Sequence, residues 1–198
     1  MMITRNQKGF SLIEMLISLA LMMMALTGLA SLLIQNARVN KAQQMTAEVQ
    51  VNARNCLSMI VQELRGAGWN PMNVSGFTTV ITDQNLGDGI SEIEVFADLD
   101  EDQLTDSLDE QVLIRHVANQ VVWRRTNDVN DPFIVLATNI SNDADGDGTA
   151  EPMFVPDTTP NPTRITVTIT AQSPSPDPTS GQFIRYTVSS DVVLRKSL

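Results

Sequence analysis

The chain has 198 residues, a formal net charge of −10 and one cysteine, Cys56. That length suits one soluble domain plus an anchor, and a lone cysteine excludes an intrachain disulfide. The acidic balance disfavours sequence-independent nucleic-acid binding, which relies on Lys and Arg neutralising phosphates, and leaves only a local basic spot such as Arg124-Arg125 for such contact.

The first element is apolar. Between Phe10 and Ile34 the sequence places twenty-five residues with a single charge, Glu14. At about 1.5 Å per helical residue this exceeds the roughly 30 Å of a bilayer's hydrocarbon, so the segment reads as a membrane span. A carboxylate inside a span costs on the order of 2.5–3.5 kcal/mol at the bilayer centre and less near an end, so Glu14 calls for a cation. A secretory signal peptide cleaved after Ala30 fits poorly, because of Glu14 and because such apolar regions usually run about 7–15 residues. A plain single-pass anchor is the other simple reading. Arg5 and Lys8 precede the span, so the positive-inside rule puts the N-terminus in the cytoplasm and the remainder outside the inner membrane; Arg38 and Lys41 beyond it weaken the bias slightly.

Apolar residues then recur at helical spacing through Ala42, Met45, Val49, Ala53, Cys56, Ile60 and Leu64, one face of an amphipathic helix that must lie on something. No proline or glycine falls between Leu32 and Arg65, so span and amphipathic stretch are expected to form one helix of about 55 residues. Gly66-Ala67-Gly68 supplies a stop through a left-handed cap, and Asn70-Pro71 confirms it.

Beyond Pro71 the period changes to two. Strands are expected at 77–82, 90–97, 111–117, 120–126 and 133–138, with Ala118-Asn119 as a tight hairpin connection. A last pair, 164–171 and 182–195, alternates through Ile165, Val167 and Ile169 and through Ile184, Tyr186 and Val188. The proline-rich stretch between them cannot join a central ladder and reads as an exposed loop. The fold class is therefore α+β, a long helix on an antiparallel sheet.

Two acidic stretches have the spacing of calcium loops. Asp143, Asp145, Asp147 and Glu151 take positions 1, 3, 5 and 9, with Gly148 at the turn and Thr149 offering a carbonyl at position 7, but position 12 is Phe154. Asp98, Asp100, Asp102, Asp106 and Asp109 repeat the spacing with Gln103 in place of the turn glycine. Calcium there would brace a loop in a domain without a disulfide. Catalysis finds little support: the one histidine, His116, reads as a sheet-surface residue, Cys56 as a buried apolar one, and Trp69 and Trp123 as core or interface aromatics.

The stretch Lys8-Gly9-Phe10-Ser11-Leu12-Ile13-Glu14 resembles the processing site of type IV pilins and type II secretion pseudopilins. The resemblance implies that prepilin peptidase cuts between Gly9 and Phe10 and methylates the new N-terminus at Phe10. It further implies that Glu14 pairs with the terminal amine of a neighbouring subunit as apolar helices stack into a filament. On that basis residues 1–9 are a leader, 10–34 the transmembrane and filament-core helix, 35–68 the amphipathic helix and 69–198 an extracytoplasmic β-rich domain. The chain departs from many major pilins in having no proline before Pro71, Gly28 being the weak point of the span, and no C-terminal cysteine pair. The helix exit Glu63–Pro71, the acidic stretch after Glu94 and the size are similar to PilW-type minor pilins, with the J-type pseudopilin of type II secretion as the nearest competitor. The resemblance implies a non-enzymatic structural subunit of pilus assembly and initiation, reaching the cell surface. Its partners would be other pilin subunits, prepilin peptidase and the inner membrane, with no cofactor beyond calcium. The alternative of another class is a membrane-anchored, calcium-dependent adhesin or sensor that never polymerises.

Overall fold

The computed structural model describes residues 11–70, 80–83, 91–102, 110–125, 128, 130–149, 151–158 and 162–194. A single helix, α1, runs from Leu12 to Gly66, 55 residues in all, about 80 Å at the helical rise. Ser11 precedes it in an extended conformation, and its carbonyl accepts the Glu14 and Met15 amides at 3.0 and 3.2 Å. Within the apolar half the hydroxyls of Ser18, Thr27 and Ser31 each donate to a carbonyl four residues earlier, at 2.8, 2.8 and 2.9 Å. These polar groups are thereby satisfied inside the helix, as hydrocarbon surroundings require.

The helix changes character along its length. Every residue from Ser11 to Lys41 is exposed, whereas Met45, Val49, Ala53, Cys56, Leu57, Ile60 and Leu64 are buried. The apolar run thus ends at Ile34, but burial starts only at Met45; Ala42 is half-buried. The stop differs in detail from a left-handed helix cap. Ala67 is extended (φ −56°, ψ 137°), Gly68 takes φ +73°, and the Trp69 amide donates to the Gly66 carbonyl at 3.3 Å. This is a type II turn, whose third position needs positive φ and so favours glycine.

The strands are β1 (Val80–Asp83), β2 (Ser91–Phe96), β3 (Gln111–Val117), β4 (Gln120–Arg125), β5 (Ile134–Thr138), β6 (Phe154–Pro156), β7 (Arg164–Gln172) and β8 (Arg185–Val193). The expected single sheet is in fact two. Strands β1 to β5 form an antiparallel meander in chain order, and β6-β7-β8 form a second antiparallel sheet, joined to the first at the Ile140–Ala171 bridge. Ala118 and Asn119 have φ of 49° and 61°, the double positive φ of a type I′ turn, at the tight hairpin connection expected between β3 and β4. Strand β6 was not legible in the period-two pattern because three residues are too few to show one. The start of the first expected strand, 77–79, lies outside the described residues, and β8 begins at Arg185 rather than at Gln182.

Helix α1 lies chiefly against β7 and β8 and reaches β5. Its buried stripe meets Phe154, Ile165, Val167 and Ile169 in one core with Ile93, Ile114 and Val121 of the meander. Two polar ties fix the helix laterally. Arg125 donates to both carboxylate oxygens of Glu63 at 2.8 and 2.7 Å, and Asn52 donates to the Thr138 carbonyl at 2.7 Å. The proline-rich loop after β7 turns back to the helix, where Pro178 and Thr179 face Ile34, Arg38 and Val39 across a cleft.

His116 is a correction to the sequence reading. It is 4% exposed, on the inner face of β3 shared with Ile114, and its Nε2 lies 2.8 Å from the Ile140 carbonyl. The histidine therefore fastens the meander to the segment that joins the two sheets. Ile60, 0% exposed, packs where helix and both sheets meet. Ile60→Ala is expected to destabilise the protein by about 2–5 kcal/mol, whereas Val51→Ala, on the exposed face of the same helix, should stay within roughly 0.5 kcal/mol; denaturant unfolding of both variants checks the pair.

Candidate functional site

The N-terminal half of α1 is the most conspicuous surface of the molecule. Leu12, Ile13, Met15, Leu16, Ile17, Leu19, and onward to Ile34, are large apolar side chains more than half exposed. Glu14 lies in the first turn of the helix, where the exposed amides and the helix dipole favour a negative charge. Among the described residues α1 is the one helix long and apolar enough to cross a membrane. The cleavage residues Gly9 and Phe10 lie outside the described residues, so the geometry speaks to Glu14 alone. A carboxylate on a bare apolar helix is costly in hydrocarbon unless a partner group or water meets it.

The first acidic loop is ordered by its own bonds. Asp143, Asp145 and Asp147 each bring a carboxylate oxygen within 4.8 Å of the other two. One Asp143 oxygen accepts the Gly146 amide at 2.6 Å and the other the Gly148 amide at 3.2 Å. Gly148 has φ +90°, the turn conformation that the spacing required of it. An all-oxygen set of this kind suits a hard divalent cation such as calcium. Two features compete with that use. Phe154, at the twelfth position, is fully buried in the core, and the Arg185 guanidinium approaches Asp143 at 3.6 Å. Thr149 donates its amide to Asp147 at 2.7 Å, and Glu151 donates its own to the Asn142 carbonyl at 2.7 Å; the Glu151 carboxylate is not one of the converging three. Arg185 was missed in the sequence because it reaches this loop from β8, forty-two residues away, with no local signal.

In the second loop Asp98, Asp100 and Asp102 converge in the same way. Asp98 is fully buried and Asp100 and Asp102 are exposed, while the Glu110 carboxylate accepts the Leu99 and Asp100 amides at 2.8 and 3.1 Å. Asp106 and Asp109 lie outside the described residues.

The other candidates disperse. Arg124 and Arg125 point to opposite faces of β4: Arg125 binds Glu63, while Arg124 and Arg115 sit 4.9 and 5.0 Å from the Phe133 ring. They form no common basic patch. Cys56 is 1% exposed and burial pushes its thiol up to about 12, the reverse of an activated nucleophile. Trp69 is 40% exposed and Trp123 packs half-buried against the core.

Residues 4–30 match the family described as the prokaryotic N-terminal methylation motif. No curated protein and no solved structure matches the chain.

Burial holds His116 below the usual histidine range, against the opposing pull of its bond to Ile140. The neutral ring is thus preferred in the folded state. Its stabilising contribution is full above the unfolded value near 6.5 and is lost as pH falls below it, because the unfolded chain then binds the extra proton. Thermal melting of the full chain should fall between pH 7 and pH 5, and His116→Gln should flatten that dependence; an equal slope in both proteins would assign it to other groups.

Proposed function

We propose that this chain, a type IV pilin-family protein by its methylation motif, is a minor structural subunit that takes part in assembling a type IV pilus. The motif implies processing by prepilin peptidase and association with pilin subunits, and the exposed apolar helix is consistent with a membrane-anchored chain. In this reading cleavage falls between Gly9 and Phe10, Phe10 carries the methylated amine, and the protein waits in the inner membrane with its β-rich domain outside. The carrying observation is the single carboxylate, Glu14, on a helix face otherwise apolar and exposed to Ile34.

The chemistry follows from solvation. In hydrocarbon an isolated Glu14 is unfavourable, and so is the terminal amine that cleavage creates four residues earlier. Paired across two subunits, each removes the other's penalty, and the pairing fixes the axial register of the stacked helices. Away from this register one charge is left buried and unpaired, which is strongly disfavoured. A J-type pseudopilin of type II secretion uses the same helix chemistry and is the closest alternative. A non-polymerising anchored adhesin or sensor has no need of the carboxylate.

Glu14→Leu separates these classes. The variant should insert in the membrane at the wild-type level, since a leucine is easier to place in a bilayer, yet be absent from filaments sheared from the cell surface. Recovery of Glu14→Leu in filaments at the wild-type level would overturn the reading.

A further inference from the structure

The cleft between α1 and the proline-rich loop lies at a defined height on the helix. As a helix the apolar run from Phe10 to Ile34 is about 37 Å long, against roughly 30 Å of bilayer hydrocarbon, so Ile34 reaches the hydrocarbon's edge. The helix continues unbroken, and Arg38 stands one turn, about 6 Å, beyond Ile34. That is the headgroup layer, which adds about 5–7 Å on each side of the hydrocarbon. Pro178 and Thr179 come down to this level, where they line a cleft of about 440 Å³ with Ile34, Gln35, Arg38 and Val39. Its volume is that of a small-molecule site, for which roughly 300–1,000 Å³ is usual.

The loop that makes the far wall is held in shape by its own bonds. The Asp177 carboxylate accepts the Thr179 and Ser180 amides at 2.9 and 3.2 Å and the Ser180 hydroxyl at 2.9 Å. The Ser173 hydroxyl donates to the Ser175 carbonyl at 2.7 Å and accepts the Ile184 amide at 3.0 Å. Pro174, Pro176 and Pro178 restrict the backbone further. A wall ordered in advance loses little entropy when a ligand settles against it.

The charge in the cleft has one sign. Arg38 is the one charged residue that lines it, and Lys41, three residues on, is its neighbour on the helix surface. Neither pairs with a carboxylate among the described residues. Asp177, the loop's acid, lines the next cleft up with Val39 and Gln43, and its carboxylate is engaged by the loop's own amides. A guanidinium offers the planar fork that phosphate oxygens accept. Gln35 and Thr179 add hydrogen-bonding groups beside it, and Ile34 leads from it into the apolar half of the helix.

We infer that this cleft binds the headgroup of an anionic phospholipid in the leaflet on the domain's side, with the phosphate on Arg38 and the acyl chains running down past Ile34. The site rests on the membrane-anchored reading of α1. To that reading it adds a fixed lipid contact that seats the proline-rich loop, and with it the β domain, on the bilayer surface.

The test uses full-length protein purified from its native membrane and placed in nanodiscs of equal phosphatidylglycerol and phosphatidylcholine. Native mass spectrometry then counts the lipids that the released chain retains. The wild type should retain phosphatidylglycerol over phosphatidylcholine by about tenfold, and Arg38→Gln should bring the ratio close to one. Thr179→Trp, which fills the cleft without altering charge, should do the same with Arg38 in place. Both positions are exposed, so neither change should move the thermal melting of the chain. Millimolar inorganic phosphate should leave the wild-type ratio unchanged; its collapse there would assign the cleft to free phosphate instead of lipid. Equal retention of the two lipids by the wild type, a preference that survives Arg38→Gln, or one that survives Thr179→Trp and so comes from charge alone, would each overturn the site. A chain recovered outside the discs defeats the anchored reading, whereas a chain held in the discs with no headgroup preference defeats the lipid site alone.

Discussion

The structure is organised around a helix that faces two solvents. Over its first half α1 exposes leucine, isoleucine and methionine on every side; over its second half one apolar stripe is buried, chiefly under β7 and β8. Such a helix has no stable place wholly in water or wholly in lipid. Its first half needs hydrocarbon or another apolar surface, and its second half needs the β domain. A helix unbroken by proline transmits the position of one half rigidly to the other. In the proposed reading, a register set at Glu14 would become a defined height for the domain some 50 Å away.

The β domain is built to hold that helix. Seven helical side chains at three- and four-residue spacing enter a core in which Phe154, Ile165, Val167 and Ile169 are fully buried. The meander is attached through β5 and through the Glu63–Arg125 and Asn52–Thr138 contacts. His116 and the Ile140 bridge close the seam between the sheets. Without a disulfide, the loops depend on aspartates that accept backbone amides. Asp143 does this between the sheets, Asp157 before β7 and Asp177 in the proline-rich loop, where Thr179 and Ser180 amides bind at 2.9 and 3.2 Å. Hydrogen bonds from Thr163 and Arg164 hold the Asp157 carboxyl well below its ordinary range, as expected for a charge that organises its own turn.

Much of this was legible in local pattern. The 3.6-residue stripe from Met45 to Leu64 is the buried stripe of the structure, with Leu57 the addition. Strand β3 and the Ala118-Asn119 turn stand where alternation and turn chemistry put them. Glu14 is conspicuous in one dimension because a single acid in an apolar run needs no fold to be noticed. What remained hidden depended on contacts between distant segments. Alternation says that one face of a strand is buried but not against what, so the division into two sheets and the short β6 were invisible. His116 lies on the same face as Ile114, so the period did place it inward; reading it by residue type as a surface group overrode that pattern. Arg185 against Asp143, and Arg38 across from Pro178 and Thr179, arise only when segments far apart in the chain come together.

In the proposed reading Glu14 meets its cation when cleavage frees an amine at Phe10, so processing at the N-terminal motif is the decisive event. Intact-mass and N-terminal peptide mass spectrometry of protein taken from its native membrane tests this most directly. The prediction is a mature chain that begins at Phe10 and carries one methyl group. A chain still beginning at Met1, or one cut near Ala30, would contradict it.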